Sequence, residues 1–117
     1  MKTVQTILLV EDQPELRDIM GLLLTMSGYN VILAANGKEG LNLATNFPFD
    51  LIITDIKMPL MDGNYLISEL AKFKNPPPVI ALAGSISEIT PNSIIRATAC
   101  KPVTTQQLRQ LIAKALV

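Results

Sequence analysis

The sequence predicts an α/β protein in which helices cover both faces of a doubly wound, five-stranded parallel sheet. Short, continuously apolar runs alternate along the 117 residues with longer segments whose apolar residues recur at helical spacing. Hydrophobic residues make up 49% of the chain and charged residues only 17%, which is enough apolar material for a well-filled core. Because no internal repeat or linker divides the chain, we expect a single domain over residues 1–117.

Five apolar runs have the length and composition of strands that are buried on both faces. Turn-forming or polar residues bound each of them. The predicted strands are residues 6–10, 30–35, 50–54, 79–83 and 97–100.

The segments between these runs carry apolar residues on one helical face. The predicted helices cover residues 13–27, 36–46, 66–73 and 104–115. Asn36 and Glu39 form the pattern of a capping box, and Asp62-Gly63 is typical of a turn and helix cap. Pro91 interrupts any helix that begins at Ser85, so we expect the fourth helix of the order, between strands four and five, to be shortened to a stub.

The composition excludes several classes of function. Ten basic and ten acidic residues cancel, so no charge surplus favours direct nucleic-acid binding. The absence of histidine excludes a Ser-His-Asp triad and histidine-ligated metal sites. The single cysteine, Cys100, excludes an internal disulfide, and we expect it to be a small buried residue of the last strand. Without a membrane-length apolar run or a secretory signal, we expect a cytoplasmic protein with no membrane contact.

Charged residues follow three of the predicted strands where each strand ends. Glu11 and Asp12 follow the first strand, Asp55 the third and Lys101 the fifth. If strands one and three are neighbours, these groups converge at the carboxyl edge of the sheet, where α/β proteins bind ligands. Clustered carboxylates repel one another unless a cation neutralises them, and oxygen ligands alone suit Mg²⁺. The set suits a phosphate with Mg²⁺, and Asp55 could itself be a nucleophile.

In this order and spacing, the residues closely resemble the response-regulator receiver domain of two-component signalling. The resemblance rests on Glu11-Asp12 after the first strand, on DIKMPLMDG at residues 55–63 and on Lys101-Pro102, and it covers nearly the whole chain. It implies the flavodoxin-like strand order 2-1-3-4-5 and a cis Lys101-Pro102 bond. It also implies a phosphorelay protein that takes its phosphoryl group from a sensor histidine kinase or a histidine phosphotransfer protein. Such a protein catalyses only its own phosphotransfer and dephosphorylation.

The resemblance further implies a role for each charged residue at the strand ends. Asp55 would be the phosphoacceptor, and Lys101 would contact the phosphoryl group. The Mg²⁺ ligands would be Glu11, Asp12, Asp55 and the backbone carbonyl of Lys57.

Two positions depart from the receiver pattern. Receivers usually end the fourth strand with a hydroxyl that binds the phosphoryl group, whereas this sequence has Ala83, with Ser85 two residues further on. They usually have an aromatic residue three positions before the lysine, where this sequence has Thr98. In the family, these two residues report phosphorylation together. We therefore expect phosphorylation to be weakened but retained, and its structural effect to stay near Glu11, Asp55 and the following loop.

Two other functions stay open at this point. A phosphorylation-independent protein-binding module of the same fold is favoured by Ala83 and Thr98 and opposed by the four charged residues. A phosphohydrolase similar to the haloacid dehalogenases would carry a D-x-D-x-T run after the first strand, which residues 11–14 (EDQP) lack. Asp12 could also serve only as a helix cap together with Glu15, an interpretation that is compatible with a metal role.

Overall fold

The computed structural model describes residues 4–117, and its five strands form one parallel sheet in the order β2-β1-β3-β4-β5. The predicted fold class and strand order are confirmed. The strands are β1 (Thr6–Val10), β2 (Asn30–Ala34), β3 (Leu51–Asp55), β4 (Val79–Ala83) and β5 (Ile95–Cys100). The helices are α1 (Pro14–Met26), α2 (Gly37–Asn46), α3 (Gly63–Leu70) and α4 (Thr105–Ala115).

The central strands are buried on both faces, as their continuous apolar runs predict. Every residue of β3 and β4 is buried. Successive side chains of a strand point to opposite faces, so each strand contributes to two core layers. The layer against α1 and α4 includes Leu9, Leu24, Ile53, Leu82 and Leu108. The layer against α2 and α3 includes Val10, Ile52, Leu66, Leu70 and Ala83. This packing holds the ends of the strands in fixed positions relative to one another.

The strand order reverses at β1, which pairs with β2 on one side and with β3 on the other. Val10 lies opposite both Ala34 and Thr54, so the residues that follow β1 and those that end β3 emerge side by side. The N–H of Lys101 donates to the Ala83 carbonyl at 2.7 Å, which brings Lys101 to the same edge. The switch point of the sheet is therefore where the charged residues meet.

The helix boundaries lie within one residue of the sequence prediction except in α3, which begins and ends three residues earlier than the predicted 66–73. Asn36 and Asp62 cap α2 and α3 through their side chains, as predicted. The interpretation of Asp12 as a helix cap is wrong, because α1 begins after Gln13, whose side chain makes no capping hydrogen bond. Residues 71–75 form turns that follow α3 and do not extend it. Within the described residues, no helix is long and apolar enough to cross a membrane.

The connection between β4 and β5 contains one 3₁₀ turn, Ile86–Glu88, which confirms the shortened fourth helix. Strand β5 begins at Ile95, two residues earlier than predicted. The prediction that Cys100 is buried is wrong, because this residue is exposed together with Arg96 and Thr98. These three are alternate residues of an edge strand, so their side chains point to the same face of the sheet. A full fourth helix would have covered that face.

Candidate functional site

Four charged side chains meet at the carboxyl edge of β1, β3 and β5. Lys101 Nζ donates hydrogen bonds to Asp55 Oδ2 at 2.9 Å and to Glu11 Oε1 at 3.1 Å. Carboxylate oxygens of Glu11, Asp12 and Asp55 all lie within 4.8 Å of one another. The structure thus brings together the four side chains that the sequence analysis selected.

Glu11 is a charged group held almost completely inside the protein, with 1% of its surface exposed. Burial raises the pKa of its carboxyl group, against the opposing effects of the Gln13 N–H, which donates to Oε2 at 3.1 Å, and of Lys101. Burial also disfavours the charge on Lys101, but hydrogen bonds to Asp55 and Glu11 outweigh this effect and raise the pKa of its ammonium group. The lysine therefore stays charged between two buried acids.

Asp55 ends β3 with both carboxylate oxygens in contact with donors. Its Oδ1 accepts the N–H of Ile56 at 2.9 Å, while Oδ2 accepts Lys101. The Thr54 hydroxyl donates to the Asp55 backbone carbonyl at 2.8 Å and thereby supports the end of the strand. A carboxylate held in this way has a fixed orientation and is still 7% exposed at the edge of the sheet.

The donor set fits a hard divalent cation. Three carboxylates with only one ammonium group among them leave a net negative charge in a partly buried place. All the side-chain donors are oxygens, the type that Mg²⁺ and Ca²⁺ bind. Asp12 is half-buried and does not cap α1, so its carboxylate is not used by the helix.

The loop after β3 leads into α3, and at its end the backbone of Gly63 lies close to the backbone of Asp55 and Ile56. Gly63 donates its N–H to the Ile56 carbonyl at 2.7 Å, and a Cβ at this position would collide with the Asp55 carbonyl oxygen. Only glycine permits this approach. Asp62 begins α3 by accepting the N–H of Tyr65 at 2.8 Å. Asp62-Gly63 thus acts as a turn and cap, as predicted.

The middle of this loop is strained. Leu60 has a positive φ of 69° and stands at the centre of a γ-turn closed by the Met61 N–H and the Pro59 carbonyl at 2.8 Å. Such a backbone costs about 1–3 kcal/mol for a residue other than glycine. The Leu60 side chain is 82% exposed, whereas Met58 and Met61 pack against the core.

Lys57, whose backbone carbonyl is the predicted fourth metal ligand, uses its side chain elsewhere. Its ammonium group forms an ion pair with Glu88 Oε2 at 2.8 Å. Asn64 also contacts the β4–β5 connection, because its Nδ2 donates to the Glu88 carbonyl at 2.8 Å. Sequence reasoning missed Glu88 and Asn64. The interrupted fourth helix was the one feature of the sequence that could have indicated them, because a connection without a helix needs side-chain contacts to hold it in place.

The two departures from the receiver pattern lie where they were expected. Ala83 ends β4 in a buried position, and Thr98 is exposed on β5. The Ser85 hydroxyl is exposed and shares a hydrogen bond of 2.9 Å with the Ser87 hydroxyl. Ser85 is therefore already engaged with a neighbour on the surface.

Fold and site together define an α/β protein with a lysine-paired acidic centre at the switch point of its sheet. The chain belongs to the response regulator receiver domain family, whose model matches residues 7–114. The resemblance stated from the sequence is confirmed. Receiver domains are signalling modules of two-component systems, in which accepting a phosphoryl group is the standard function and histidine kinases or phosphotransfer proteins are the general partners.

Similar proteins are found both by sequence and by structure. The transcriptional regulatory protein GlrR of Escherichia coli is 39% identical over 114 residues, which is 94% of this chain but only 26% of that protein. A CheY-like receiver domain from Methanospirillum hungatei has a TM-score of 0.90 and 30% identity, covering 97% of this chain and 94% of that one. The response regulator TrrA of Thermotoga maritima, solved in complex with Mg²⁺-BeF, has a TM-score of 0.87 and 28% identity. That likeness covers 97% of this chain and 100% of TrrA.

Proposed function

We propose that this receiver domain accepts a phosphoryl group on Asp55 from the phosphohistidine of a sensor histidine kinase or a histidine phosphotransfer protein. The observation that carries the proposal is the convergence of Glu11, Asp12 and Asp55, with oxygens within 4.8 Å of one another, around Lys101. We propose Mg²⁺ as the cofactor and residues 1–117 as a single receiver domain. A cytoplasmic location stays a prediction from the sequence.

The transfer exchanges one bond to phosphorus for another. An Asp55 carboxylate oxygen attacks phosphorus, a P–O bond forms, and the P–N bond to the donor imidazole breaks with its electron pair going to nitrogen. Lys101, already 2.9 Å from Asp55, places a positive charge beside the incoming phosphoryl oxygens. Glu11, Asp12, Asp55 and the Lys57 carbonyl would hold Mg²⁺, which would neutralise the charge on those oxygens.

The same residues catalyse reactions of the domain's own Asp55 and act on no separate substrate. The product is its own aspartyl phosphate, and water attack at phosphorus returns Asp55 and inorganic phosphate. We propose that this self-dephosphorylation is the only other chemistry of the site.

A phosphohistidine partner must cover the rim of the site in order to reach Asp55. Exposed apolar side chains suited to such a contact lie on one face of α1, at Ile19, Leu22 and Met26, and at Leu60 in the loop after β3. Exposed apolar side chains on one face of a helix are typical of a protein contact. They support a protein donor for the phosphoryl group.

The proposal is tested by intact mass after incubation with acetyl phosphate and Mg²⁺. We expect one added phosphoryl group on the wild type and none on Asp55→Asn. Asp18→Asn, the same change at an exposed aspartate of α1, is the matched control and should be modified like the wild type. An unmodified wild type would favour the phosphorylation-independent binding module. Modification of Asp55→Asn would show that another residue is the acceptor.

A further inference from the structure

An ion pair links the loop after β3 to the connection between β4 and β5. Lys57 Nζ lies 2.8 Å from Glu88 Oε2, and each partner shifts the pKa of the other. The hydrogen bond and charge of Lys57 lower the pKa of Glu88, and those of Glu88 raise the pKa of Lys57. An exposed ion pair couples its partners weakly unless one of them is already held in place.

Glu88 is held in place by two further contacts, and Asn64, which makes one of them, is itself held by a third. Its second carboxylate oxygen accepts the N–H of Ser85 at 3.2 Å, and its backbone carbonyl accepts Asn64 Nδ2 at 2.8 Å. The other end of the Asn64 amide accepts the N–H of Thr90 at 2.9 Å. Glu88 thus has contacts that do not involve Lys57, and its side chain is only 22% exposed against 79% for Lys57.

We propose that Glu88 is a positioning residue for the magnesium site, acting through Lys57, and that this ion pair couples the site to residues 84–90. The inference rests on the proposed function, in which the Lys57 carbonyl is a metal ligand. Fixing the Lys57 side chain reduces the freedom of its backbone, so less freedom is lost when the carbonyl binds a cation. The 3₁₀ turn that replaces the fourth helix is what brings Glu88 to this position.

The coupling is reciprocal. If Glu88 strengthens cation binding by a given factor, cation binding strengthens the Lys57–Glu88 contact by the same factor. Residues 84–90 then respond to the state of the site without the hydroxyl at position 83 or the aromatic residue at position 98 that other receivers use. A partner that contacts the exposed Ile86 would sense that response.

The test measures Mg²⁺ affinity of the unphosphorylated protein by titration calorimetry for Lys57→Gln and Glu88→Gln. We expect both variants to bind Mg²⁺ about two- to fivefold more weakly than the wild type. If the two charges acted only at long range, the two variants would change Mg²⁺ affinity in opposite directions. Removing the negative charge of Glu88 would weaken cation binding, and removing the positive charge of Lys57 would strengthen it. Glu69→Gln is the matched control, since it breaks the 2.6 Å pair between Glu69, on α3, and Lys72, in the turn that follows, and should leave Mg²⁺ affinity unchanged.

A second readout is hydrogen exchange at the amides of Ser85 and Thr90. Mg²⁺ should slow exchange at both amides in the wild type and have a smaller effect in Lys57→Gln and Glu88→Gln. The charge-swapped pair Lys57→Glu with Glu88→Lys should recover Mg²⁺ affinity. Opposite signs for the two single variants, or affinities equal to that of Glu69→Gln, overturn the inference. A wild type that binds no Mg²⁺ overturns the proposed magnesium site itself.

Discussion

Lys101, at the end of β5, donates a 2.9 Å hydrogen bond to Asp55, at the end of β3, across 46 residues of sequence. Strand β4 lies between the two strands, so the lysine side chain spans a backbone separation of about 10 Å, twice the usual strand spacing. The same ammonium group also pairs with Glu11, which makes it the positive charge shared by two buried acids.

The first prediction concerns the loss of this positive charge. Lys101→Met leaves Glu11 and Asp55 buried together without a counter-charge, so we expect the free energy of unfolding to fall by about 3 kcal/mol at neutral pH. Denaturant unfolding without Mg²⁺ measures the loss. Lys74→Met, at an exposed lysine, is the control and should change stability by less than about 0.5 kcal/mol. Equal stability of the two variants would mean that the charge of Lys101 does not stabilise the buried carboxylates of Glu11 and Asp55.

The second prediction concerns the metal. Mg²⁺ should raise the melting temperature of the unphosphorylated protein, by an amount equivalent to about 2.7 kcal/mol when its concentration is about 100 times Kd. Asp12→Ala should lose most of this gain, and its stability without Mg²⁺ should be equal to or above that of the wild type, because one repulsive carboxylate has gone. Asp18→Ala should keep the full gain. Equal stabilisation of the wild type and Asp12→Ala by Mg²⁺ would contradict the site.

The third prediction concerns the missing hydroxyl at the end of β4. Ala83→Thr supplies a hydrogen-bond donor to a charged phosphoryl group, a contact that contributes about 1.5–3 kcal/mol. We expect the phosphorylated fraction at subsaturating acetyl phosphate to rise about tenfold. Ala83→Val adds nearly the same volume at this buried position without the hydroxyl, so it reports the cost of packing alone. Equal phosphorylated fractions in Ala83→Thr and Ala83→Val would show that a hydroxyl at position 83 does not strengthen phosphorylation.

The fourth prediction concerns the spread of the structural change after phosphorylation. A ligand shifts a conformational equilibrium only through contacts that differ between the two states. Ala83 has no hydroxyl, and Thr98 is already exposed and small. Amide shifts caused by beryllofluoride, a phosphoryl mimic, should therefore concentrate around Glu11 and over residues 55–62 and 84–90. Large shifts spread over residues 97–112 would reveal a different route of coupling.

The sequence predicts the fold well because its signals are local. Continuous apolar runs specify buried strands, and Asn36 and Asp62 specify helix starts through hydrogen bonds that span only three residues. The failures arise where burial depends on tertiary context. Cys100 belongs to an apolar run, but its exposure depends on whether a helix covers the edge strand β5, which the run itself does not encode.

By itself, the sequence determined the order of strands and helices, the acidic pair at Glu11-Asp12, and the positions of Asp55 and Lys101 at strand ends. These features follow from residue type and short-range periodicity. Only the tertiary structure decided that Lys57 pairs with Glu88 and that Asn64 holds the connection around it. Those contacts join residues 24 or more positions apart, and their formation depends on how the packed sheet and helices bring loops together, which no local pattern records.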